Sequence, residues 1–202
     1  MDSIATLVLT AGSSSRMGKP KALLPWGQNT VLRHILQQIQ QTGLHNVLLV
    51  TGAHHEEIQN ALQEESAIIC YHPDWDSGMG SSISAGIRAV EQQFEGVNAV
   101  LILLVDQPLI TAAYLRELMT SHEKDPSIII ASDYGEFAGV PALFPRRFWN
   151  DLKGIPSGRG AKGLIARFHE QSVILNPKDV IVDIDTPEAY QKALKIAGIS
   201  SI

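Results

Sequence analysis

Residues 4–21 read IATLVLTAGSSSRMGKPK, a short apolar run followed by a loop of small and basic residues. The apolar run, Ile4–Leu9, has the length and composition of a buried strand. The loop, residues 9–21, contains three cations and no acid, and its small residues let the backbone come close to a ligand. Because such a loop combines free backbone N–H groups with positive charge, it indicates a site for a nucleoside triphosphate.

Two better-known phosphate loops do not match this stretch. A Walker A loop requires the pattern G-x-x-x-x-G-K-[S/T]. Here Gly12 and Gly18 are one residue too far apart, and Pro20 stands where the hydroxyl is needed. A dinucleotide-binding fingerprint requires G-x-G-x-x-G, a spacing that the loop lacks. Gly12 and the serines after it still offer backbone N–H groups to an anion.

Beyond the loop, the apolar pattern alternates between strand and helix. We predict strands over residues 4–10, 46–51, 67–71, 99–104, 127–131 and 180–184, and helices over residues 30–41, 56–63, 81–93, 112–123 and 187–197. This alternation indicates an α/β fold with a doubly wound, mostly parallel sheet. The strand at 99–104 is apolar on both faces, which predicts a central position in the sheet.

The length and composition indicate one globular domain over residues 1–202. Of the 202 residues, 45% are apolar and 18% charged, which is ordinary for a soluble protein with a substantial core. No internal repeat or linker divides the chain. The stretch Gly154–Gly163 is rich in glycine and basic, and we interpret it either as a mobile loop near the site or as a surface connection.

Several locations and partners are disfavoured by the sequence. The longest apolar run, residues 99–105, is too short to span a bilayer. No basic residue precedes Arg16, so the N-terminus does not resemble a secretory signal. Cys70 is the only cysteine, which excludes an intrachain disulfide. We therefore expect a cytoplasmic protein without a membrane partner.

The charges are unevenly distributed along the chain. The net charge of −5 disfavours nucleic-acid binding. No Asp or Glu lies between Ser3 and His55, although Arg16, Lys21 and Arg33 lie in that segment. Unless this is chance over a short window, a basic N-terminal quarter in an acidic protein predicts that a polyanion is drawn to that quarter.

Three carboxylates stand near the ends of predicted strands, where α/β sheets bind their ligands. Asp106 follows the strand at 99–104 and suits Mg²⁺, which prefers one or two carboxylates together with substrate phosphates. The alternative is that Asp106 starts a turn or caps the next helix. Asp183 and Asp185 are two residues apart, so in a strand their side chains share one face. Asp185 is also placed to cap the helix predicted from residue 187.

A second glycine-rich segment, Gly78–Ser82, precedes the helix predicted at 81–93. Glycines followed by hydroxyls at a helix start form a good anion or ribose pocket. The same residues are also typical of an ordinary helix cap, so both interpretations stay open.

These motifs together carry a family resemblance. Residues 9–21 resemble the signature L-x-A-G-x-S-x-R-M-G-x-x-K of the MobA-like nucleotidyltransferases. Within that group the chain is most similar to the molybdenum cofactor cytidylyltransferases. The further matching segments, in the expected order, are residues 78–82 (GMGSS), 106–108 (DQP), 139–144 (GVPALF) and 183–188 (DIDTPE).

The resemblance implies a Rossmann-like nucleotidyltransferase that moves CMP from CTP to the terminal phosphate of a molybdopterin-type acceptor and releases pyrophosphate. It implies Mg²⁺ as cofactor with Asp106 and Asp185 as ligands, and Asp183 as a weaker candidate. Arg16 would hold the β- and γ-phosphates, and Lys21 would stabilise the α-phosphate, so these two are the predicted catalytic cations. The predicted nucleotide contacts are Leu9, Thr10, Ala11, Gly12, Arg16, Lys21, Gly80 and Ser81.

The resemblance also bears on the base and on the acceptor. The position of Ala11 is usually Gly in the guanylyltransferase relatives and Ala in the cytidylyltransferase relatives, which predicts a preference for CTP. Relatives place the acceptor near residues 139–141, and some have His where Val140 stands. The resemblance also implies a molybdoenzyme as the client that receives the product.

Three alternatives remain open at this point. The nearest is a molybdenum cofactor guanylyltransferase. The second is a nucleotidyltransferase acting on a sugar or polyol phosphate, which would share the loop. The third is a non-catalytic accessory protein that binds nucleotide and delivers the cofactor.

Overall fold

Nine strands and seven α-helices lie in residues 3–13, 17–62, 67–178 and 180–199, which the computed structural model describes. The strands are β1 (Ile4–Leu9), β2 (Pro25–Trp26), β3 (Asn29–Thr30), β4 (Asn46–Thr51), β5 (Ile68–Tyr71), β6 (Ala99–Leu104), β7 (Ile129–Asp133), β8 (Ala138–Pro145) and β9 (Ser172–Leu175). The helices are α1 (Val31–Gln40), α2 (His55–Ala61), α3 (Met79–Gln93), α4 (Ala112–Lys124), α5 (Trp149–Lys153), α6 (Lys162–Arg167) and α7 (Pro187–Ile196).

Seven of these strands form one sheet in the order β5-β4-β1-β6-β8-β7-β9. β1 pairs in parallel with β4 and β6, β4 with β5, and β7 with β9. Only β8 runs against its neighbours β6 and β7 in this sheet. The mostly parallel α/β architecture predicted from the sequence is therefore confirmed, and β2 and β3 form a separate small hairpin.

Both faces of the sheet are covered, which explains the apolar character of β6. Ala99, Leu101 and Leu103 pack into a core beneath α1, α4 and α7, whereas Val100 and Ile102 pack into a second core beneath α3, α5 and α6. β6 is thus central, as predicted, with β1 on one side and β8 on the other. No helix in the described ranges is long and apolar enough to cross a membrane.

Most predicted elements are present with shifted ends. The helix predicted from Thr30 begins at Val31, because the Thr30 side chain accepts a hydrogen bond from the Arg33 backbone N–H at 3.3 Å and caps it. The helix predicted from Ser81 begins two residues earlier, at Met79, after a Gly78 with φ of 111°.

The predicted strand at 180–184 is wrong. This segment forms no strand, because both edges of β6 are already occupied by β1 and β8. It is attached near the end of β6 by a hydrogen bond from the Ile184 backbone N–H to the Asp106 carbonyl, at 2.9 Å. That bond, rather than a strand ladder, brings residues 183–185 to the sheet edge.

Candidate active site

A cavity of about 360 Å³ opens at the carboxyl ends of β1, β4 and β6. Residues Leu9, Thr10, Ala11, Gly12 and Ser13 line one wall of it. The remaining lining residues are Pro20, Lys21, Ala22, His54, Ile58, Trp75, Asp76, Gly78, Met79, Ser82, Leu104, Val105 and Asp106. Six predicted site residues, Leu9 to Gly12 with Lys21 and Asp106, thus meet around one cavity. Arg16 lies outside the described residues.

The first turn of the loop is fixed to the end of β4. The backbone N–H and the hydroxyl of Thr10 both donate to the Val50 carbonyl, at 2.9 and 2.8 Å. The Ala53 backbone N–H donates to the Ala11 carbonyl at 3.2 Å. The Thr10 hydroxyl is therefore used within the protein, and Ala11 presents its methyl group at a fixed place on the cavity wall.

Trp75 closes the cavity next to Ala11, and Gly52 makes its position possible. A Cβ at Gly52 would lie 2.5 Å from Trp75 Cγ and 2.6 Å from the Ala11 carbonyl oxygen. The indole therefore packs directly over the glycine backbone. Ala11 and Trp75 thus both lie beside Gly52 and both line the cavity.

Lys21 lies between two of the predicted metal ligands. Its ammonium donates to Asp106 at 2.9 Å and also to Asp185. Pro20 and a short 3-10 helix over Lys21–Leu23 hold the lysine backbone in place. Burial alone lowers the pKa of Lys21, but the charges and hydrogen bonds of Asp106 and Asp185 outweigh it and raise that pKa above its usual value. Lys21 is consequently charged at neutral pH.

The carboxylates around Lys21 fit a divalent cation. The second oxygen of Asp106, Oδ1, is buried and has no hydrogen-bond partner among the described residues. A buried, unpaired carboxylate oxygen is costly unless a cation binds it. Within the described ranges, no three His, Cys, Asp or Glu side chains converge as a metal site. Asp106 and Asp185 nevertheless suffice for Mg²⁺, which takes its remaining ligands from water and substrate phosphates.

The helix-cap alternatives for these carboxylates are wrong. The side chain of Thr111 caps α4 by accepting from the Tyr114 backbone N–H at 3.2 Å. The side chain of Thr186 caps α7 by accepting from the Ala189 backbone N–H at 3.2 Å. Neither Asp106 nor Asp185 is therefore the side-chain cap of the helix that follows it, and both bind Lys21.

Asp183 belongs to a neighbouring polar network. Gln107 Nε2 donates to Asp183 Oδ1 at 2.8 Å and to the Tyr134 hydroxyl at 2.7 Å, and that hydroxyl donates in turn to the Val140 carbonyl. Burial raises the pKa of Asp183, partly offset by the Gln107 hydrogen bond, and the charges of nearby carboxylates raise it further. Asp183 is thus held by Gln107, which leaves it the weaker metal candidate.

The start of α3 contributes to the cavity through different residues from those predicted. Gly78, Met79 and Ser82 line it, whereas Gly80 and Ser81 have other contacts. The Gly80 backbone N–H donates to the Ser157 carbonyl at 2.9 Å. The Ser81 hydroxyl donates to the Gly78 carbonyl at 2.7 Å and lies 3.0 Å from His72 Nε2.

The 154–163 stretch is therefore packed against the beginning of α3, beside the site. A Cβ at Gly80 would lie 2.3 Å from the Pro156 carbonyl oxygen and 2.8 Å from that of Arg159. If residue 80 carried a Cβ, contacts this short with backbone atoms would force the 154–163 stretch to move away from α3. Glycine at position 80 therefore allows this stretch to pack closely against α3.

Gly80→Ala is expected to lower the free energy of unfolding by about 1–3 kcal/mol, as overpacking of this kind does. Gly163→Ala is the matched control, because a Cβ at Gly163 in α6 meets nothing within 4 Å. That control should be neutral or slightly stabilising, since alanine favours a helix. Urea unfolding of both variants measures the difference, and equal stabilities would contradict the tight contact.

The sequence did not identify Trp75, Asp76 and His54 as lining residues. His54 lies 3.1 Å through Nε2 from the Ser13 carbonyl oxygen and 2.9 Å through Nδ1 from Glu57 Oε1. A tryptophan in a polar turn just before the Gly78 motif was the available signal for Trp75. Nothing in the sequence pattern linked Trp75, Asp76 or His54 to the N-terminal loop.

Comparisons with known proteins agree with this geometry. The family model for a MobA-like NTP transferase domain matches residues 6–173. The chain is 27% identical to the molybdenum cofactor cytidylyltransferase of Escherichia coli (strain K12), over 94% of this chain and 95% of that protein. It is 34% identical to nicotine blue oxidoreductase of Paenarthrobacter nicotinovorans, over 59% of this chain and 57% of that protein.

The fold is also found among solved structures. The crystal structure of Rv0371c from Mycobacterium tuberculosis H37Rv superposes with a TM-score of 0.78 at 25% identity, covering 95% of this chain and 97% of that one. The relatives carry different names and activities, so the shared fold does not by itself select a substrate.

Proposed function

The chain belongs to the MobA-like NTP transferase family, and from this we propose that it transfers CMP from CTP to the terminal phosphate of a molybdopterin-type acceptor. The observation that carries the proposal is Lys21, held between Asp106 and Asp185 at the mouth of a cavity formed by the N-terminal loop. Charge of both signs at one end of a nucleotide-sized cavity is what phosphate transfer requires.

In the proposed reaction, an oxygen of the acceptor phosphate forms a bond to the α-phosphorus of CTP. The bond from that phosphorus to the oxygen bridging to the β-phosphate breaks, and pyrophosphate leaves with the electron pair. The protein has little covalent chemistry to perform, so its residues orient the reactants and neutralise charge. Lys21 donates hydrogen bonds to the α-phosphate oxygens, and Arg16 holds the leaving phosphates.

Asp106 and Asp185 would hold Mg²⁺, whose charge neutralises the phosphate oxygens when it is bound. The unpaired Oδ1 of Asp106 supports this assignment. The same two carboxylates keep Lys21 charged and directed at the site until the nucleotide offers it phosphate oxygens. Asp183 keeps the Gln107 side chain beside this pair in one orientation.

Support for the acceptor comes from the Escherichia coli relative, which is similar over nearly the whole chain. The nicotine blue oxidoreductase match covers little more than half of either protein, so it supports an acceptor or a reaction for the whole chain less well. A sugar or polyol phosphate acceptor and a non-catalytic delivery role remain the alternatives that experiment must separate.

One assay separates these functions. Pyrophosphate release is measured from each of the four ribonucleoside triphosphates with Mg²⁺, alone and with molybdopterin, glucose 1-phosphate or glycerol 3-phosphate. We expect release only from the combination of CTP and molybdopterin. Release with a sugar or glycerol phosphate instead would select the second activity, and CTP binding without release under any condition would indicate a delivery protein.

The wild-type protein is expected to prefer CTP over GTP, because a methyl group at Ala11, which lines the cavity beside Trp75, would crowd a purine more than a pyrimidine. One methyl in a pocket is worth only about 1–3 kcal/mol, so Ala11→Gly should relax the preference without reversing it. Incorporation from an equimolar mixture of CTP and GTP measures the ratio.

Ala22→Gly is the control for that substitution. Ala22 also lines the cavity and is buried, but it follows Lys21 at the phosphate end. Its loss should leave the ratio of CTP to GTP unchanged. Preferential incorporation of GMP by the unmodified protein would refute the role assigned to Ala11.

A further inference from the structure

An aromatic pair stands in the turn between β7 and β8. The rings of Tyr134 and Phe137 stack with centroids 4.8 Å apart and 13° between their planes. The Tyr134 backbone N–H donates to the Phe137 carbonyl at 2.9 Å and closes the turn. Gly139 leaves room for the pair, since a Cβ there would lie 2.9 Å from Tyr134 Cε2. Phe137 nevertheless keeps 37% of its surface exposed.

This pair is attached directly to the candidate site. The Tyr134 hydroxyl lies 2.7 Å from Gln107 Nε2, and Gln107 follows Asp106 in the chain. The same Gln107 Nε2 also donates a hydrogen bond to Asp183 Oδ1, at 2.8 Å. Phe137 is therefore connected to the carboxylates through Tyr134 and Gln107, and these contacts leave little freedom for the Tyr134 ring.

The sheet order places Phe137 at the same sheet edge as the cavity. The cavity lies at the ends of β1, β4 and β6, and the aromatic pair lies beyond β6, at the ends of β8 and β7. The aromatic pair therefore shares the sheet edge of the cavity, and an acceptor bound at this pair would enter the cavity from the β8 side.

The Phe137 ring makes a cation–π contact with a lysine. The ammonium of Lys162 lies 3.5 Å from the centre of the Phe137 ring. Lys162 is an exposed residue at the start of α6. A cation–π contact at an exposed site is weaker than the stacking of a heteroaromatic base on an aromatic side chain. A flat ring can therefore displace the ammonium from Phe137.

We propose that Phe137 binds the body of the acceptor: a flat heteroaromatic ring stacks on its exposed face while the acceptor's phosphate reaches Lys21. This inference rests on the proposed function and adds the feature that selects the acceptor. Tyr134 supports the ring from behind, and Gln107 fixes Tyr134. Sugar and polyol phosphates have no flat ring to stack, so they gain nothing from this surface.

Phe137→Ala and Phe137→Leu are expected to raise the KM for molybdopterin at least about fivefold, the lower end of what one stacked base contributes. Leucine keeps an apolar contact but lacks a π face. A raised KM for molybdopterin in Phe137→Leu therefore indicates stacking and not apolar packing. Phe137→Trp should restore the KM. The KM for CTP and the thermal midpoint should stay at wild-type values. An unchanged molybdopterin KM in the leucine variant would overturn the proposal.

Tyr71→Ala is the matched control. Tyr71 is 53% exposed and stacks on His55 at 4.5 Å, but it lies on β5 at the opposite end of the sheet. Its loss should leave the molybdopterin KM unchanged. Lys162→Ala should lower that KM modestly, because it removes the competing cation, and an increase would contradict displacement of the ammonium.

A binding measurement keeps this inference distinct from the proposed function. The fluorescence of 6-hydroxymethylpterin monophosphate is titrated with protein, and quenching should weaken in Phe137→Leu and not in Tyr71→Ala. If the wild-type protein binds this probe through Phe137 but transfers no nucleotide, the proposed function fails and the stacking surface stands. If transfer occurs and neither Phe137 variant changes it, the proposed function stands and the stacking surface fails.

Discussion

Lys21→Ala is expected to lower kcat by about 10²–10³, the usual cost of removing one preorganised group that stabilises charge in the transition state. The KM for CTP should change far less, because the Lys21 charge is needed most while the α-phosphate reorganises. The structure supports this role, since Asp106 and Asp185 keep the pKa of Lys21 raised and its ammonium at the cavity mouth. Steady-state kinetics with CTP and the natural acceptor measure the effect.

Two comparisons make the Lys21 experiment selective. Lys19→Ala removes an exposed lysine that does not line the cavity, and it should retain near wild-type turnover. Lys21→Arg keeps the charge but replaces a compact ammonium with a planar fork, so activity should recover only in part. Near-normal turnover of Lys21→Ala would show that the lysine serves only to separate the carboxylates.

The Lys21 variant should also be less stable without metal. Removing the ammonium leaves Asp106 and Asp185 without the charge that now lies between them, close to the third carboxylate, Asp183. Added Mg²⁺ should restore much of the lost stability in the alanine variant and change the wild-type melting temperature less. Equal responses of both proteins to Mg²⁺ would argue against a metal between these carboxylates.

Local signals in the sequence were sufficient for the elements that build the cavity. The apolar run of β1, the doubly buried β6 and the amphipathic helix α1 each depend on neighbouring residues, and each was predicted to within a few positions. The convergence of Lys21 and Asp106 followed from one rule, that the carboxyl ends of parallel strands meet at one edge of the sheet.

The remainder depended on contacts between distant parts of the chain. β8 contains Pro141 and Pro145, which argue against a strand when only local pattern is considered. Residues 180–184 have a strand-like pattern, but the sheet offers them no free edge beside β6. Trp75 reaches the loop only because Gly52 lacks a side chain, a relation between residues that no local pattern expresses.

The helix start at α3 shows the same limit at a finer scale. Gly80 and Ser81 were predicted as nucleotide contacts from their motif, but Gly80 accommodates the 154–163 stretch and Ser81 bonds to Gly78. Neighbours in the same turn, Met79 and Ser82, face the cavity instead. The motif predicts where the turn lies, but the rotation of the helix about its axis determines which residues of the turn face the cavity.

Asp106→Asn is expected to keep the fold and to lower Mg²⁺-dependent activity by about 10²–10³, since a neutral amide is a much poorer ligand for Mg²⁺ and the phosphates then lose the charge of the bound cation. Its carboxylate is the more deeply placed of the pair, with a side chain 22% exposed against 41% for Asp185, and it holds the buried, unpaired Oδ1. Activity measured against Mg²⁺ concentration should show both a lower maximum and a weaker apparent affinity.

Asp185→Asn should lose less activity than Asp106→Asn, because its side chain is more exposed and an amide oxygen still binds a cation weakly. Asp183→Asn is the control: its amide oxygen can still accept from Gln107 Nε2, so its effect on Mg²⁺ dependence should be small. Thermal melts of all three variants separate the roles. If Asp106→Asn is strongly destabilised but its folded fraction remains fully active, the carboxylate holds Lys21 in place and binds no metal.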